Sequence, residues 1–354
     1  MRNLKKIETH AEYEAAKSSL ILPNVSICKD TPNEVHYNPW IGIIAKFNVT
    51  DTSNPTRITN SASSFNKIEI DGAEQPSVTT GYTFSTTGEH TVKYTLADPT
   101  SIGNNAFMFC DSLTSVTIPN NVTSIGNGAF SICRSLTSIT IPSGVTTIGA
   151  NAFQHCTSLT SITIPDSVTS IGDMAFADCS GMTSCTIGNG VTSISSNAFN
   201  HCSGLISVTI PNSVTSIGNN AFYDCNSLTS INIPSGVTSI GDSAFYNCRS
   251  LTSIDIPDSV TSIGNGVFSS CSGLTSITIP SGVTSIGGGV FSSCSGLTSI
   301  TCNAIAAPTI TNYTFYKIKT NGTLYVPIGS SGYDTWMGTG DYYLGKYGWT
   351  KVEQ

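Results

Sequence analysis

The sequence predicts a repeat solenoid in which each coil adds one strand to a parallel β-sheet, flanked by a β-rich N-terminal domain and a C-terminal cap. Three observations carry this. Phenylalanines from Phe107 to Phe291 recur every 23 residues, cysteines from Cys110 to Cys294 keep the same step, and apolar residues alternate with hydroxyl residues between them. Nine units in register are one structural module stacked on itself.

Within the unit Leu228 to Ser250, the pattern Leu-x-x-Ile-x-Ile places Ile231 and Ile233 on one face of a strand and Ser230 and Asn232 on the other. Pro234 has no N–H to donate and closes the strand. Val237 and Ile240 turn the chain inward again, with Gly241 relaxing the backbone. Ala244-Phe245-x-x-Cys248 suits a short helical turn that places one aromatic ring per coil in the core. No coil can bury its apolar set alone, so neighbours stack into a right-handed solenoid.

Composition narrows the function. Of 354 residues only 10% are charged, against roughly 25% in an average domain, and the mean hydropathy is +0.08. A disordered chain is more charged and less apolar. Apolar runs such as Trp40 to Ala45 fall far short of the roughly 18–20 residues that span a bilayer, so no membrane insertion is expected. A net charge of −7 repels phosphate backbones, which argues against nucleic acid. Glu8, Glu12 and Glu14 stand where a secretion signal needs an apolar stretch.

The elements Leu-x-x-Ile-x-Ile-Pro, Val-x-x-Ile-Gly and Ala-Phe-x-x-Cys, repeated over about residues 100–302, resemble the BspA-like class of leucine-rich repeat proteins. The resemblance implies a leucine-rich repeat solenoid with one parallel strand per coil. It also implies a non-enzymatic bacterial or protozoan surface protein that adheres to host proteins or other cells. By composition and residue patterning the chain divides into a leader over 1–40, a small β-rich domain over 41–98, the repeat solenoid over 99–302 and a cap over 303–354.

At about 4.8 Å per strand the stack is on the order of 45 Å long, room for a protein partner. Its expected binding surface is the concave face, formed by the outward strand positions Ser161, Thr163, Ser184, Thr186, Ser207, Thr209, Ser230, Asn232, Ser253 and Asp255. Between Ser101 and Thr301 there are eight Asp, two Arg, no Glu and no Lys. Such a face cannot steer a partner by charge, so binding there sums many weak hydrogen bonds. The repeats vary mainly in loop pairs opposite the strands, Gln154-His155, Tyr223-Asp224 and Tyr246-Asn247.

The regular cysteines read as structural free thiols, with Cys185 and Cys302 in core slots. His155 and His201 share one slot two coils apart, roughly 10 Å, too far to share a zinc ion. Asp166 with Asp258, Asp173 with Asp242 and Asp178 with Asp224 likewise lie in non-adjacent coils, too far apart for a catalytic pair. The sequence contains no G-x-S-x-G, Walker A, G-x-G-x-x-G or H-E-x-x-H motif. No enzyme, metal or cofactor is expected.

The flanks are expected to cap the stack. Thr9-His-Ala-Glu12 is a capping box opening a helix to about Ser19, and Cys28 stands alone in the leader. From Ile41 to Asp98 the pattern is alternating β, with Gly88 suited to a hairpin, and Tyr94, Leu96 and Ile102 look like a degenerate first repeat. Residues 304–354 hold ten aromatics, and Thr323-Leu-Tyr-Val-Pro-Ile reads as one more strand. Trp336 and Trp349 are either the cap's own core or a glycan-stacking site. The expected function is a monomeric protein-binding or adhesion module for a protein or glycan ligand; the resemblance implies the cell surface or secretion, while no signal peptide is visible in the sequence. The alternatives are a structural part of a surface or viral appendage, glycan binding by the terminal aromatics, and ordering of water by the hydroxyl lattice.

Overall fold

The computed structural model describes residues 42–354 and two short antiparallel strands, Val25–Ile27 and Val35–Tyr37. The helix expected from Thr9 and the lone Cys28 lie outside the described residues.

The N-terminal sheet follows from alternation. In Gly42–Val49 the side chains of Ile43, Ala45, Phe47 and Val49 are buried while Lys46 and Asn48 face out, and in Gly88–Leu96 His90, Val92, Tyr94 and Leu96 point inward. These strands pair antiparallel, and Phe65–Ile70 and then Ala73–Glu74 extend the sheet. The tight hairpin lies at Asp71-Gly72, with φ of 48° and 85°; two consecutive positive φ values are what an Asp-Gly turn supplies. Gly88 instead opens its strand with φ of 112°.

On its other edge Gly42–Val49 pairs antiparallel with Leu113–Thr117, which in turn pairs parallel with Ser138–Thr140. The N-terminal sheet is thus continuous with the first strand column of the solenoid and covers its open edge, the position at which a bare ladder would recruit other chains. Tyr94 belongs to this sheet, not to a first repeat; its hydroxyl donates to the Ile58 carbonyl at 2.6 Å inside the core.

The expected parallel strand per coil is present, and most coils add a second, shorter one. The first column runs from Leu113–Thr117 to Ser299–Cys302, Thr323–Val326 and Thr350–Glu353, reduced to single bridges at Asn232 and Asp255 and without ladder pairing between Ser138–Thr140 and Ser161–Ile164 and between Ser207–Thr209 and Asn232. The second is built from two-residue strands such as Ser216–Ile217 and Ser239–Ile240 in parallel register. It is interrupted once in the middle, between Ser170–Ile171 and Ser193–Ile194. Elsewhere from Ile102 to Ile286 a glycine follows the isoleucine; a Cβ at Gly218 would come within 2.7 Å of the Ser196 amide. At the interruption Ser195 takes that place, and its hydroxyl donates to the Ile171 carbonyl.

The expected helical turn around Ala-Phe-x-x-Cys is absent; among the described residues the only helices are 3-10 turns at Ala62–Ser64 and Leu344–Tyr347. Amides alternate in direction instead. Ala244, Tyr246 and Cys248 donate back three residues within the coil, whereas Ser243, Phe245 and Asn247 donate to carbonyls of Asn265, Val267 and Ser269 in the next coil at 2.7–3.0 Å. The reversal requires left-handed backbone at Ser243 and Asn247, with φ of 55° and 60°, and the corresponding residues of the other repeat coils share it. A helix would point all six amides along its own axis and leave the neighbouring coil's carbonyls unpaired.

The phenylalanines form a continuous stack. From Phe107 to Phe315 successive ring centres lie 5.3–6.1 Å apart with planes within 12° of parallel. Rings set at steep angles end it: Tyr94 meets Phe107 at 89° and Trp336 meets Phe315 at 53°. Each stacked pair contributes about 0.5–1.5 kcal/mol beyond its buried area, so the stack ties every coil to the next.

Candidate functional site

Two surfaces carry chemistry, the outward positions of the first strand column and the row of turns opposite. On the strand face, Ser161, Ser184 and Ser207 stand in register, as do Thr163, Thr186 and Thr209. Asn232, Asp255 and Thr278 continue the second row through parallel bridges, and Ser230 and Ser253 precede Asn232 and Asp255 by two residues. All ten predicted residues are exposed except Ser184, which is half-buried.

Their hydroxyls differ from those beside them. The threonines one residue earlier bind backbone carbonyls of the preceding coil, as when Thr183 Oγ1 donates to Thr160 at 3.1 Å and Thr298 Oγ1 to Thr275 at 3.1 Å. The ten predicted side chains make no side-chain hydrogen bond among the described residues. They therefore present a periodic array of donors and acceptors to solvent, with Asp255 its one charge.

The turn edge is more varied. The second residue after each phenylalanine gives the row His155, Asp178, His201, Asp224, Asn247 in five successive coils. His155 Nε2 lies 3.6 Å from Asp178 Oδ2, and His201 Nδ1 3.2 Å from Asp224 Oδ2, while Asn247 Nδ2 donates to Asp224 Oδ1. Tyr223 and Tyr246 stack beside them at 4.6 Å and 8°, with His201 edge-on to Tyr223. Burial and then the Asp224 charge push the Tyr223 phenol up. The like-with-like grouping of the sequence reading missed this alternation, although the shared offset from phenylalanine reveals it. Among the described residues no group of three or more His, Cys, Asp or Glu is placed to hold a metal ion.

The thiols are inward and neutral. Each from Cys133 to Cys294 in the repeat series donates to the phenylalanine carbonyl 26 residues earlier, at 3.0–3.2 Å. Burial pushes Cys179 and Cys271 up to about 12 and the others up as well. The eleven described cysteines are unpaired and buried.

Trp336 and Trp349 take the first of the two alternatives, the cap's own core. They are 1% and 4% exposed, and their Nε1 atoms donate to the carbonyls of Pro308 at 3.0 Å and Lys319 at 2.7 Å. Neither indole shows a face on which a sugar ring can rest; both close the core.

The BspA type leucine-rich repeat region matches in six copies over residues 100–215 and 192–321. The chain belongs to this family. Among solved structures, this BspA-type chain is 25% identical to a leucine-rich repeat protein of T. pallidum, covering 57% of this chain and 85% of that one with a TM-score of 0.41. It is 30% identical to a leucine-rich cell surface protein of Faecalibacterium prausnitzii, covering 63% and 77% with a TM-score of 0.35. It is 26% identical to a leucine-rich repeat protein of Eubacterium ventriosum, covering 65% and 73% with a TM-score of 0.39. No curated protein matches. No helix among the described residues is long and apolar enough to cross a membrane.

Proposed function

We propose that this BspA-type chain is a non-enzymatic adhesion module whose strand face binds a protein on a host or cell surface. The observation that supports the reading is the register of unpartnered hydroxyls: Ser161, Ser184 and Ser207 beside Thr163, Thr186 and Thr209, with no internal acceptor drawing them away. Rows spaced by one strand, about 4.8 Å, let weak contacts add along a partner. The rigid Phe stack beneath keeps the array from losing much conformational entropy on binding.

The test is binding of the full chain to an array of extracellular-matrix proteins and mucins, beside Thr163→Lys, Thr186→Lys and Thr209→Lys combined. Saturable binding that drops at least tenfold in the triple variant, with the melting temperature unchanged, supports the strand face. Binding indifferent to the three lysines refutes it.

A further inference from the structure

Proline closes every strand end of the repeat block from Pro119 to Pro280 except one, where Gly188 stands. A Cβ there would come within 2.5 Å of the Pro165 carbonyl carbon, so the chain passes this point with no side chain at all. The missing ring leaves a notch at the edge of the strand face, an open depression of about 730 Å³. Pro165 and Pro211 flank it, Ile164 and Ile187 line it, and Thr163, Thr186 and Thr209 border it on the strand face.

One charge stands at this notch. Asp166 Oδ1 accepts the Asn189 backbone amide at 2.7 Å and Asn189 Nδ2 at 3.2 Å, which fixes the carboxylate at the rim. Its Oδ2 accepts no hydrogen bond, and Asp166 joins no ion pair, among the described residues. The sequence has no Lys or Arg between Arg134 and Arg249, so none of these coils supplies a counter-charge.

We infer that this notch receives a lysine side chain of the protein bound on the strand face. The inference rests on the strand-face reading and names the partner's chemistry there. A lysine has an apolar four-carbon stem to lie along Pro165 and Pro211 while its charged tip stays in water. That tip is compact and needs one acceptor, and one carboxylate oxygen is what Asn189 leaves. An arginine fork needs both oxygens for its paired bonds. Asp258 gives the contrast within the chain: it follows Pro257 as Asp166 follows Pro165, but the next coil keeps its ring, Pro280.

The experiment titrates the full chain with N-acetyl-lysine methylamide and with the uncharged N-acetyl-norleucine methylamide, following backbone amide shifts by NMR. The Asn189 amide, bonded to Asp166, is the reporter. The lysine probe is expected to shift it saturably and to bind about fivefold tighter than the norleucine probe, the gain of one exposed ion pair. Asp166→Asn keeps an oxygen for the Asn189 amide; it should melt as the parent does while the two probes become equal. Asp258→Asn should change nothing. The inference is overturned by an unmoved Asn189 amide, by equal affinities of the two probes for the parent, or by tighter binding of N-acetyl-arginine methylamide. A lysine preference that survives Asp166→Asn, or is lost in Asp258→Asn, overturns it too. None of these readouts uses a protein partner, so a notch that takes no lysine and a strand face that binds no matrix protein are recognised separately.

Discussion

Cys202 Sγ lies 3.1 Å from the carbonyl oxygen of Phe176 in the preceding coil and donates to it. The same carbonyl also accepts the Cys179 amide at 3.3 Å, so the thiol adds a second bond to an acceptor that the turn has already used. A thiol fits because the site is small and dry, and a weak donor suffices.

The thiols are therefore expected to be inert in the folded protein. Thiolate is the reactive form, and burial raises these groups far above neutral pH. Alkylation followed by peptide mass analysis should leave all eleven described cysteines unmodified in native buffer and modify all of them in denaturant. Native labelling at several repeat positions, or disulfide-linked peptides, contradicts the ladder. Cys202→Ala should cost only about 1–2 kcal/mol, because Phe176 keeps its amide partner.

The period, the core and the inward thiols were legible because they depend on residue type at fixed spacing: Phe199, Cys202 and Leu205 each need burial, and burial selects apolar residues. The second strand column was not, since Ser216–Ile217 is two residues long and Val214 with Ile217 reads equally as a turn. Nor was the alternating turn, because the left-handed places admit residues as different as Asn151, Phe109 and Met174. Counting aromatics in the cap also does not tell whether Trp336 faces in or out; that depends on the Pro308 carbonyl meeting its Nε1.

His90 links the hairpin to the N-terminal sheet and should make that sheet sensitive to alkali. Its Nδ1 faces the Asp71 carboxylate at 2.7 Å and its Nε2 the Thr86 carbonyl at 2.9 Å, so only the imidazolium serves both acceptors. Burial alone would lower its pKa, but the Asp71 and Thr86 hydrogen bonds and the Asp71 charge together raise it above the usual 6.5. A raised folded-state pKa contributes stability that is complete below about 6.5 and disappears as pH rises through the folded value. The denaturation midpoint should fall between pH 6 and pH 8.5, and fall less in Asp71→Asn. Equal pH slopes for the two proteins would remove His90 as the cause.

Ile132 occupies a left-handed turn position, with φ of 61°. A β-branched side chain there crowds its own backbone, whereas Asn247 takes the equivalent place in another coil without that cost. Ile132 is only half-buried, so little apolar contact is at stake. Ile132→Asn is expected to stabilise the protein by about 1 kcal/mol, seen as a higher melting temperature. An unchanged or lower melting temperature would show that its packing outweighs the backbone relief.

The interruption of the second column should be its weakest place. Gly218 donates its amide to the Ile194 carbonyl at 2.8 Å, and Gly172 does the same to Ile148. At residue 195 the serine hydroxyl replaces the amide as donor to Ile171, and the flanking two-residue strands do not pair. Local opening needs less free energy where a rung is missing. Amides across 192–195 should exchange at least about tenfold faster than those across 215–218, a difference of about 1.4 kcal/mol in opening free energy. Ser195→Gly removes the Cβ that holds the coils apart and should restore protection to the level of the neighbouring rungs. Uniform exchange along the column in the parent protein, or no gain in Ser195→Gly, would mean that the hydroxyl bond replaces the missing rung in full.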